Sequence, residues 1–273
     1  MNKFYIEDKE DLRILIVNTA RKKNISEAVI EKDYWVTFIL DYLFNENKLK
    51  EYFTFKGGTS LSKCFGLIER FSEDIDLILD WRVLGYEEKE PWLERSNTKQ
   101  DKFNKAVNEK TEEFLRDELL KVLEQDFKDM DFEFSIDTID PQTILCKYPK
   151  IFESNYLTQN IRLEIGSLAA WTPAIDVEVL PIISEAYPNV FKEKTNIRTV
   201  SAERTFWEKA TILHHEANRP ESSSMPHRYA RHFYDLYKIA NSDFKNKALE
   251  DKELLKEVTE FKMKFYPRKW ARY

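Results

Sequence analysis

Two aspartates separated by a single residue, Asp74 and Asp76, stand in an otherwise apolar segment of the chain. Ile75 and Leu77 alternate with them, which predicts a β-strand over residues 74–79 with both carboxylates on one face. Two adjacent carboxylates repel each other and are costly to bury unless a divalent cation neutralises them. Mg²⁺, or Mn²⁺ in its place, fits because carboxylate oxygens and substrate phosphates are its usual ligands, and such a site can activate an attacking oxygen. The alternative is an exposed edge strand with solvated aspartates.

A glycine pair, Gly57-Gly58, is the only adjacent pair among the five glycines of the chain, and it separates a predicted strand from a predicted helix. Glycine lets the backbone approach a phosphate closely, and Thr59, Ser60 and the first N–H groups of the helix can donate hydrogen bonds to its oxygens. The pair therefore predicts a phosphate-binding turn. A tight strand-to-helix turn capped by Thr59 or Ser60 is the alternative explanation.

The order of these features, a glycine turn, a helix and an Asp-x-Asp strand, is that of the nucleotidyltransferase superfamily. The segment resembles the AbiEii/AbiGii-type toxin nucleotidyltransferases, whose signature is Gly-Gly-Thr-x-Leu-Ser-Lys followed by Arg-x-Ser-x-Asp-Ile-Asp. The matching positions are residues 57–63 and then Arg70, Ser72, Asp74 and Asp76. Two later blocks, residues 201–214 and 228–236, resemble the C-terminal helical motifs of the family. The resemblance spans most of the chain, although residues 82–160 match no motif.

The resemblance implies roles for individual side chains. The nucleotide-binding set that it implies is Lys56, Gly57, Gly58, Thr59, Ser60, Lys63, Arg70, Ser72 and Lys209. Lys209 would meet phosphate charge, Asp235 would be a catalytic-site carboxylate, and Arg228 and Arg231 would contact phosphate or RNA. Helix geometry offers simpler alternatives, in which the Lys209 stem covers apolar surface and Arg231 pairs with Asp235 one turn later.

A third carboxylate on a later strand is also implied by the nucleotidyltransferase resemblance. Glu164 projects together with Arg162 from the predicted strand at residues 161–168, and it is the first candidate for a third metal ligand. Asp176 and Glu178, on the next predicted strand, are its rivals.

The C-terminal tail, residues 262–273, carries five basic residues and no acidic ones, interleaved with aromatic rings. This composition is typical of RNA-binding segments, because phosphates pair with the cations and bases stack on the rings. We expect Arg268 and Lys269 to contact RNA or phosphate. A flexible, solubilising terminus is the alternative.

Composition limits the class of protein. The chain has 273 residues, 42% of them hydrophobic, and a formal net charge of -6, so it is globular and lacks the dense basic surface of a general nucleic-acid coat protein. Two distant cysteines and an N-terminus without a secretory pattern favour a cytoplasmic protein with free thiols. The longest apolar run, residues 34–40, is far shorter than the roughly 18 to 20 residues that cross a bilayer, so we expect no membrane partner.

Hydrophobic periodicity assigns the elements that must position these side chains. Predicted strands cover residues 52–55, 74–79, 132–137, 143–147, 161–168 and 175–180, and predicted helices cover 8–50, 59–69 and most of the chain from 201 onward. The fold class is therefore α/β (α+β), a nucleotidyltransferase-type mixed sheet with an N-terminal helical layer and a C-terminal helical bundle. We expect a core domain at residues 1–182, with an exposed helical insertion at about 82–131, and a helical domain at 183–273.

The expected function follows from the motifs and the resemblance together. It is Mg²⁺-dependent transfer of a nucleoside monophosphate from an NTP to an RNA acceptor, with tRNA as one candidate. The resemblance implies a toxin role in a bacterial toxin-antitoxin or phage abortive-infection system, with a cognate antitoxin as partner. The alternatives are transfer to a protein hydroxyl or to a small molecule such as an aminoglycoside, and a non-catalytic nucleotide-binding protein.

Overall fold

The computed structural model describes residues 2–225, 229–271 and 273 of the chain. Its α-helices are α1 (Lys9–Lys23), α2 (Glu27–Asp41), α3 (Gly57–Lys63), α4 (Asn97–Phe114), α5 (Leu120–Asp126), α6 (Ala202–Ala217), α7 (Ala230–Ala240), α8 (Phe244–Glu250) and α9 (Lys252–Phe265). Its strands are β1 (Phe53–Lys56), β2 (Ile75–Leu79), β3 (Glu133–Ile136), β4 (Thr143–Lys147), β5 (Asn160–Gly166), β6 (Ala174–Val179) and β7 (Thr195–Val200). Within the described ranges, no helix combines the length and the apolar character needed to cross a membrane.

The strands of the described residues form one mixed sheet in the order β3-β4-β5-β2-β1-β7-β6. β1 and β2 are antiparallel, whereas β2 with β5 and β1 with β7 are parallel pairs. Asp76 of β2 lies opposite Lys56 of β1 on one side and opposite Glu164 of β5 on the other. The α/β class is confirmed, and the register brings three of the predicted site residues to neighbouring positions in the sheet.

α1 and α2 cover one face of the sheet. Tyr34 and Phe38 of α2 belong to the same buried core as Phe55 of β1 and Leu77 of β2. Because side chains alternate along a strand, Asp76 points to the opposite face. The N-terminal helical layer therefore packs as predicted and leaves the other face of the sheet for the carboxylates.

Three consecutive charged residues of α2, Glu31, Lys32 and Asp33, are buried although the helix around them is apolar. Each ties α2 to a different segment of the chain. The Glu31 carboxylate accepts from the N–H groups of Ile151 (2.5 Å) and Phe152 (3.0 Å). The Lys32 ammonium donates to the Glu73 carboxylate (2.5 Å) and the Thr158 carbonyl (2.5 Å). The Asp33 carboxylate accepts from the Lys63 ammonium (2.5 Å) and the Ile182 N–H (2.7 Å). Burial raises the pKa of Glu31 to about 7 despite its hydrogen bonds. Apolar periodicity predicts the packing of α2 but does not reveal these anchors.

The helix predicted over residues 59–69 is shorter in the structure, because α3 ends at Lys63. Gly66 adopts the left-handed conformation with a φ of 61°, and the Leu67 N–H donates back to the Leu61 carbonyl at 2.9 Å. Glycine accepts this φ without strain, so the helix ends in a turn that leads toward β2.

The sheet extends further along the chain than the sequence predicts. β7 falls within the predicted C-terminal helical domain, yet it pairs with both β1 and β6. Its Thr195 and Thr199 are fully buried, and their hydroxyls donate to oxygens of α2 and β1. Polar threonines at buried positions hide the apolar alternation of the strand. The domain boundary expected after residue 182 therefore separates β7 from the sheet to which it belongs.

The insertion at residues 82–131 is helical as predicted but is not simply exposed. Leu115, Leu119 and Leu123 are fully buried in the same core as the sheet, and Val107 is buried against the C-terminal helices. Leu115, Leu119 and Leu123 are four residues apart, and Val107 is eight residues before Leu115. This spacing places all four on one face, with the charged residues on the other. High charge density conceals this apolar face in the sequence.

Candidate active site

A cavity of about 420 Å³, referred to below as the cleft, lies on the face of the sheet that Asp76 points to. Residues from both halves of the chain line it. The sheet side contributes Lys56, Gly57, Gly58, Arg70, Asp74, Asp76 and Glu164, and the C-terminal part contributes Thr205, Glu208, Lys209, Ile212, Tyr229, Arg231, His232 and Asp235. The cleft therefore brings together residues that are up to 179 positions apart in the sequence, between Lys56 and Asp235.

Asp74, Asp76 and Glu164 form an acidic wall in the cleft. The parallel pairing of β2 with β5 sets Asp76 beside Glu164, and Asp74 stands immediately before β2. Burial, together with the nearby Glu164 charge, raises the pKa of Asp74 above its usual range and raises the pKa of Asp76 to about 6. Lys56 and Lys209 oppose part of the shift at Asp76. Carboxylates that hinder one another's ionisation mark a position where a cation is favourable.

A divalent cation at this wall would have to take part of its coordination from outside the protein. In residues 2–225, 229–271 and 273, no group of three or more His, Cys, Asp or Glu side chains is arranged to hold a metal ion. Mg²⁺ in nucleotide-dependent enzymes uses one or two carboxylates and completes its coordination with waters and substrate phosphates. An open acidic wall with raised pKa values at Asp74 and Asp76 fits that mode of binding, because the cation removes the repulsion.

The glycine turn packs directly against charged side chains of the cleft. Gly57 has a φ of 85°, and a Cβ at that position would lie 1.9 Å from Oδ2 of Asp76. A Cβ at Gly58 would lie 2.6 Å from Nη2 of Arg70 and 2.9 Å from Oγ of Ser72. A side chain at Gly57 would be strained and would displace the Asp76 carboxylate, whereas one at Gly58 would displace the ends of the Arg70 and Ser72 side chains. The turn therefore carries its backbone to within contact of the carboxylate and guanidinium groups.

Four residues of the predicted nucleotide-binding set brace this turn and do not line the cleft. Thr59 Oγ1 donates to the Asp74 carbonyl at 2.5 Å and lies 2.9 Å from Oγ of Ser72. Ser60 Oγ donates to a carbonyl within the turn at 3.0 Å, and the Lys63 ammonium pairs with an aspartate of α2 at 2.5 Å. These contacts fix the turn and α3, and direct phosphate contacts of the four side chains stay a prediction.

Asp235 joins two cations in the cleft. It is fully buried, and Arg70 donates to it from Nε at 3.0 Å and from Nη2 at 2.9 Å. The Lys209 ammonium lies 3.0 Å from its Oδ2. Burial alone would raise the pKa of Asp235, but the bonds from Arg70 and Lys209 outweigh it and hold that pKa below its usual value. The partners of Asp235 are thus Arg70 and Lys209, whereas helix spacing predicts Arg231.

His232 holds Lys209 from a second side. The Lys209 ammonium lies 3.2 Å from Nδ1 of His232. Burial and the charge of Lys209 lower the pKa of His232 to about 4, so the ring is neutral at physiological pH and Nδ1 accepts the bond. An ammonium has three donors, and Asp235 and His232 take two of them. The third donor of Lys209 remains for an anion in the cleft.

α7 turns its polar side toward the cleft. Arg231 and Asp235 line the cavity, whereas Phe233 and Tyr237 on the opposite side of the helix are 53% and 65% exposed. Arg228, the other arginine predicted to contact phosphate or RNA, lies outside the described residues.

Other predicted residues lie away from the cleft. Asp176 and Glu178 are on β6, the edge strand three positions from β2, which is about 14 Å at the usual strand spacing. Of the candidates for the third carboxylate, only Glu164 lines the cleft. Arg268 and Lys269 are exposed beyond the end of α9 and do not line it.

Several residues of the cleft carry no signal of their own in the sequence. Thr205, Glu208 and Ile212 share one face of α6 with Lys209, at spacings of three and four residues. The position of Lys209 on the helix could therefore have identified them. Tyr229 has no such marker, because it stands just before α7 and enters the cleft only through the tertiary fold.

The mixed sheet, the glycine turn and the acidic wall define an α/β protein of the nucleotidyltransferase class. A family model described as "Nucleotidyl transferase AbiEii toxin, Type IV TA system" matches residues 39–271. That match covers most of the chain, so the chain belongs to the AbiEii nucleotidyltransferase toxin family, as its motifs predict.

A comparison with solved structures matches MenT4, the nucleotidyltransferase toxin Rv2826c from Mycobacterium tuberculosis H37Rv. The two sequences are 16% identical, the match covers 90% of this chain and 97% of that chain, and the TM-score is 0.41. A search of curated proteins finds no match.

Proposed function

We propose that this member of the AbiEii family transfers a nucleoside monophosphate from an NTP to an RNA acceptor, with tRNA as one candidate, and acts as a toxin countered by a cognate antitoxin. The observation that carries the proposal is the presence of both signs of charge in one cleft. Asp74, Asp76 and Glu164 supply carboxylates, and Arg70 and Lys209 supply cations. A metal-bound triphosphate has the matching chemistry, because its cation binds carboxylates and its phosphate oxygens bind cationic side chains.

The two kinds of charge have separate parts in this reaction. Asp74 and Asp76, with Glu164 beside them, would hold Mg²⁺, which would supply charge stabilisation to the attacking oxygen and to the departing pyrophosphate. Lys209 and Arg70 contact phosphate oxygens, and Asp235 keeps both cations in place from behind. The acceptor hydroxyl forms a bond to the α-phosphorus, the bond to the β-phosphate breaks, and the hydroxyl proton is released. The side chains act by positioning and by electrostatics, which is the usual basis of phosphoryl-type catalysis.

The acceptor class is tested by supplying candidates separately. Purified protein is incubated with Mg²⁺ and each α-labelled NTP in turn, together with total RNA, total soluble protein or an aminoglycoside. We expect label in the RNA fraction with at least one NTP, and none with the Asp76→Asn variant. Label confined to the protein fraction or to the small molecule would replace the RNA acceptor by one of the alternatives. No transfer to any acceptor would support a nucleotide-binding protein without catalysis.

A further inference from the structure

A second cavity, of about 290 Å³, lies between the start of α4 and the C-terminal end of α9. Gln100 and Asn104 line it from α4, and Lys264, Tyr266 and Arg268 line it from α9 and the segment that follows. It shares no lining residue with the cleft in the part of the chain that the structure describes. The family motifs described above do not include these positions, so the charge of the cavity needs a separate explanation.

Gln100 presents a hydrogen-bond acceptor that has no donor among the described residues. The Phe265 carbonyl can only accept, so Asn104 donates to it with Nδ2, at 3.1 Å. Asn104 Oδ1 is then the acceptor for Nε2 of Gln100, at 2.8 Å. This chain of bonds fixes the Gln100 amide and leaves its Oε1 buried without a donor among the described residues, on a side chain that is 7% exposed. A buried acceptor without a donor is costly, so this position favours a ligand that brings an N–H or O–H group.

The charge around this acceptor is mostly positive. Lys264 gives one bond to a backbone carbonyl at 2.9 Å, and Asp101, the acid of the cavity, is paired with Lys105 at 2.9 Å. The exposed guanidinium of Arg268 has no hydrogen bond or ion pair within residues 2–225, 229–271 and 273. Beside it, the ring of Tyr266 is 53% exposed. An anion, an N–H donor and a flat ring are the features that one nucleotide unit combines.

One hydrogen bond connects this cavity to the strand that carries Glu164. The Tyr266 hydroxyl donates to the Leu168 carbonyl at 2.6 Å. Leu168 is four residues after Glu164, so their Cα atoms are at most about 14 Å apart. The second cavity is therefore joined, through Tyr266, to the segment that follows β5.

We propose that the second cavity is a nucleotide subsite for a single-stranded segment of the acceptor RNA. An N–H group of a base donates to Oε1 of Gln100, a phosphate contacts Arg268 and Lys264, and the base stacks on Tyr266. This assignment rests on the proposed function, because it takes RNA as the acceptor. It gives the enzyme a contact with the acceptor upstream of the reacting end, independent of the NTP.

The test measures RNA binding without NTP or Mg²⁺, by fluorescence anisotropy of a labelled single-stranded oligoribonucleotide on the full chain. Arg268→Gln should weaken binding about tenfold and reduce the salt slope by about 0.7, the value for one phosphate contact on a single strand. Gln100→Met, which keeps the length and removes the acceptor, should weaken binding about fivefold to tenfold at an unchanged unfolding temperature. Lys256→Gln, on α9 outside this cavity, is the matched control and should bind as the wild type does.

The outcomes separate this proposal from the one on which it rests. If the wild type binds RNA and the Arg268→Gln and Gln100→Met variants bind equally well, the subsite is wrong and the RNA acceptor stands. If the wild type has no affinity for RNA, the acceptor class is wrong and the subsite falls with it. If a polyglutamate peptide displaces RNA as effectively as unlabelled RNA does, the cavity is a general anion site and the assignment is overturned. Because Arg268 is exposed, its variant gives an answer even if Gln100→Met fails to fold.

Discussion

Asp74 and Asp76 form no ion pair among the described residues, whereas Asp235 forms two. They are therefore available to a cation that the protein does not itself supply. Asp74→Asn, Asp76→Asn and Glu164→Gln should each lower nucleotide transfer by at least about a hundredfold while the fold is retained, because each removes one charge from the proposed cation site. Label incorporation into RNA measures the effect, and restored growth should follow if expression of the wild type stops bacterial growth.

Asp176→Asn is the matched control for these substitutions, because Asp176 is an aspartate on β6, away from the cleft. It should leave transfer unchanged. Full activity in both Asp74→Asn and Asp76→Asn would end the metal-site hypothesis. Toxicity that survives those substitutions would have a different cause.

Lys209 is the second residue with a specific prediction, since only two of its three donors have partners among the described residues. Lys209→Ala should weaken NTP binding or turnover by tenfold or more, because a charge-assisted phosphate contact contributes about 1.5 to 3 kcal/mol. Titration with a fluorescent NTP analogue and steady-state kinetics give the two quantities. Lys245→Ala, which removes an exposed lysine of α8, is the control. Equal affinity in both variants would assign Lys209 a structural role only.

The raised pKa of Asp76 makes a prediction about stability. The unfolded chain releases this proton near pH 4, but the metal-free folded protein keeps it up to about pH 6. Between these values the folded state binds more protons, so the free energy of unfolding falls as pH rises through that window. Asp76→Asn should therefore be more stable than the wild type at pH 7 and not at pH 4. Thermal denaturation in EDTA at both pH values checks this, and identical pH dependence in the two proteins would contradict it.

At the scale of single residues, sequence alone predicts which charged residues meet in the cleft better than it predicts their contacts. Asp74, Asp76, Lys209 and Asp235 all line the cleft as their motifs predict. Sequence alone does not show whether Thr59, Ser60, Lys63 and Ser72 brace the turn or contact phosphate directly. A hydroxyl or an ammonium can do either, and only the fold determines its partner. Choosing Glu164 over its rivals likewise required the strand order, which a list of strands does not contain.

α2 is the element whose charged residues support the site indirectly. Lys32 is fully buried and pairs with Glu73, the residue before Asp74, at 2.5 Å. Lys32→Met should lower the free energy of unfolding by about 3 kcal/mol, because it leaves a largely buried carboxylate without its partner. Urea denaturation measures it. Lys22→Met on the exposed side of α1 should change stability by less than about 0.5 kcal/mol. A Lys32→Met variant as stable as the wild type would show that the pair contributes nothing.

At the scale of elements, strands with clean alternation are the ones that the sequence predicts. β4 has the predicted bounds, and β2, β5 and β6 agree within one or two residues. β7 was missed because two of its buried positions are threonines, which satisfy their hydroxyls through tertiary contacts. α3 was overextended because apolar spacing continues past the left-handed Gly66 that ends it.

At the scale of the whole molecule, the cleft is formed by contacts between distant parts of the chain. Arg70 and Asp235 are 165 residues apart and join the sheet side to α7 through two hydrogen bonds. No local pattern encodes such a pair. The family motifs nevertheless include both positions, so resemblance supplies at this scale what periodicity and spacing do not.

The central claim is that the α-phosphoryl group of an NTP, with its nucleoside, moves to the acceptor. The most direct measurement incubates the protein with Mg²⁺, RNA and one NTP labelled in parallel reactions at the α- or the γ-phosphate. Our account predicts that α-label becomes covalently attached to RNA, that γ-label is released as pyrophosphate, and that Asp76→Asn abolishes both. Attachment of γ-label to the acceptor would show phosphoryl transfer, and release of label without attachment would show hydrolysis. Either result would contradict nucleotidyl transfer.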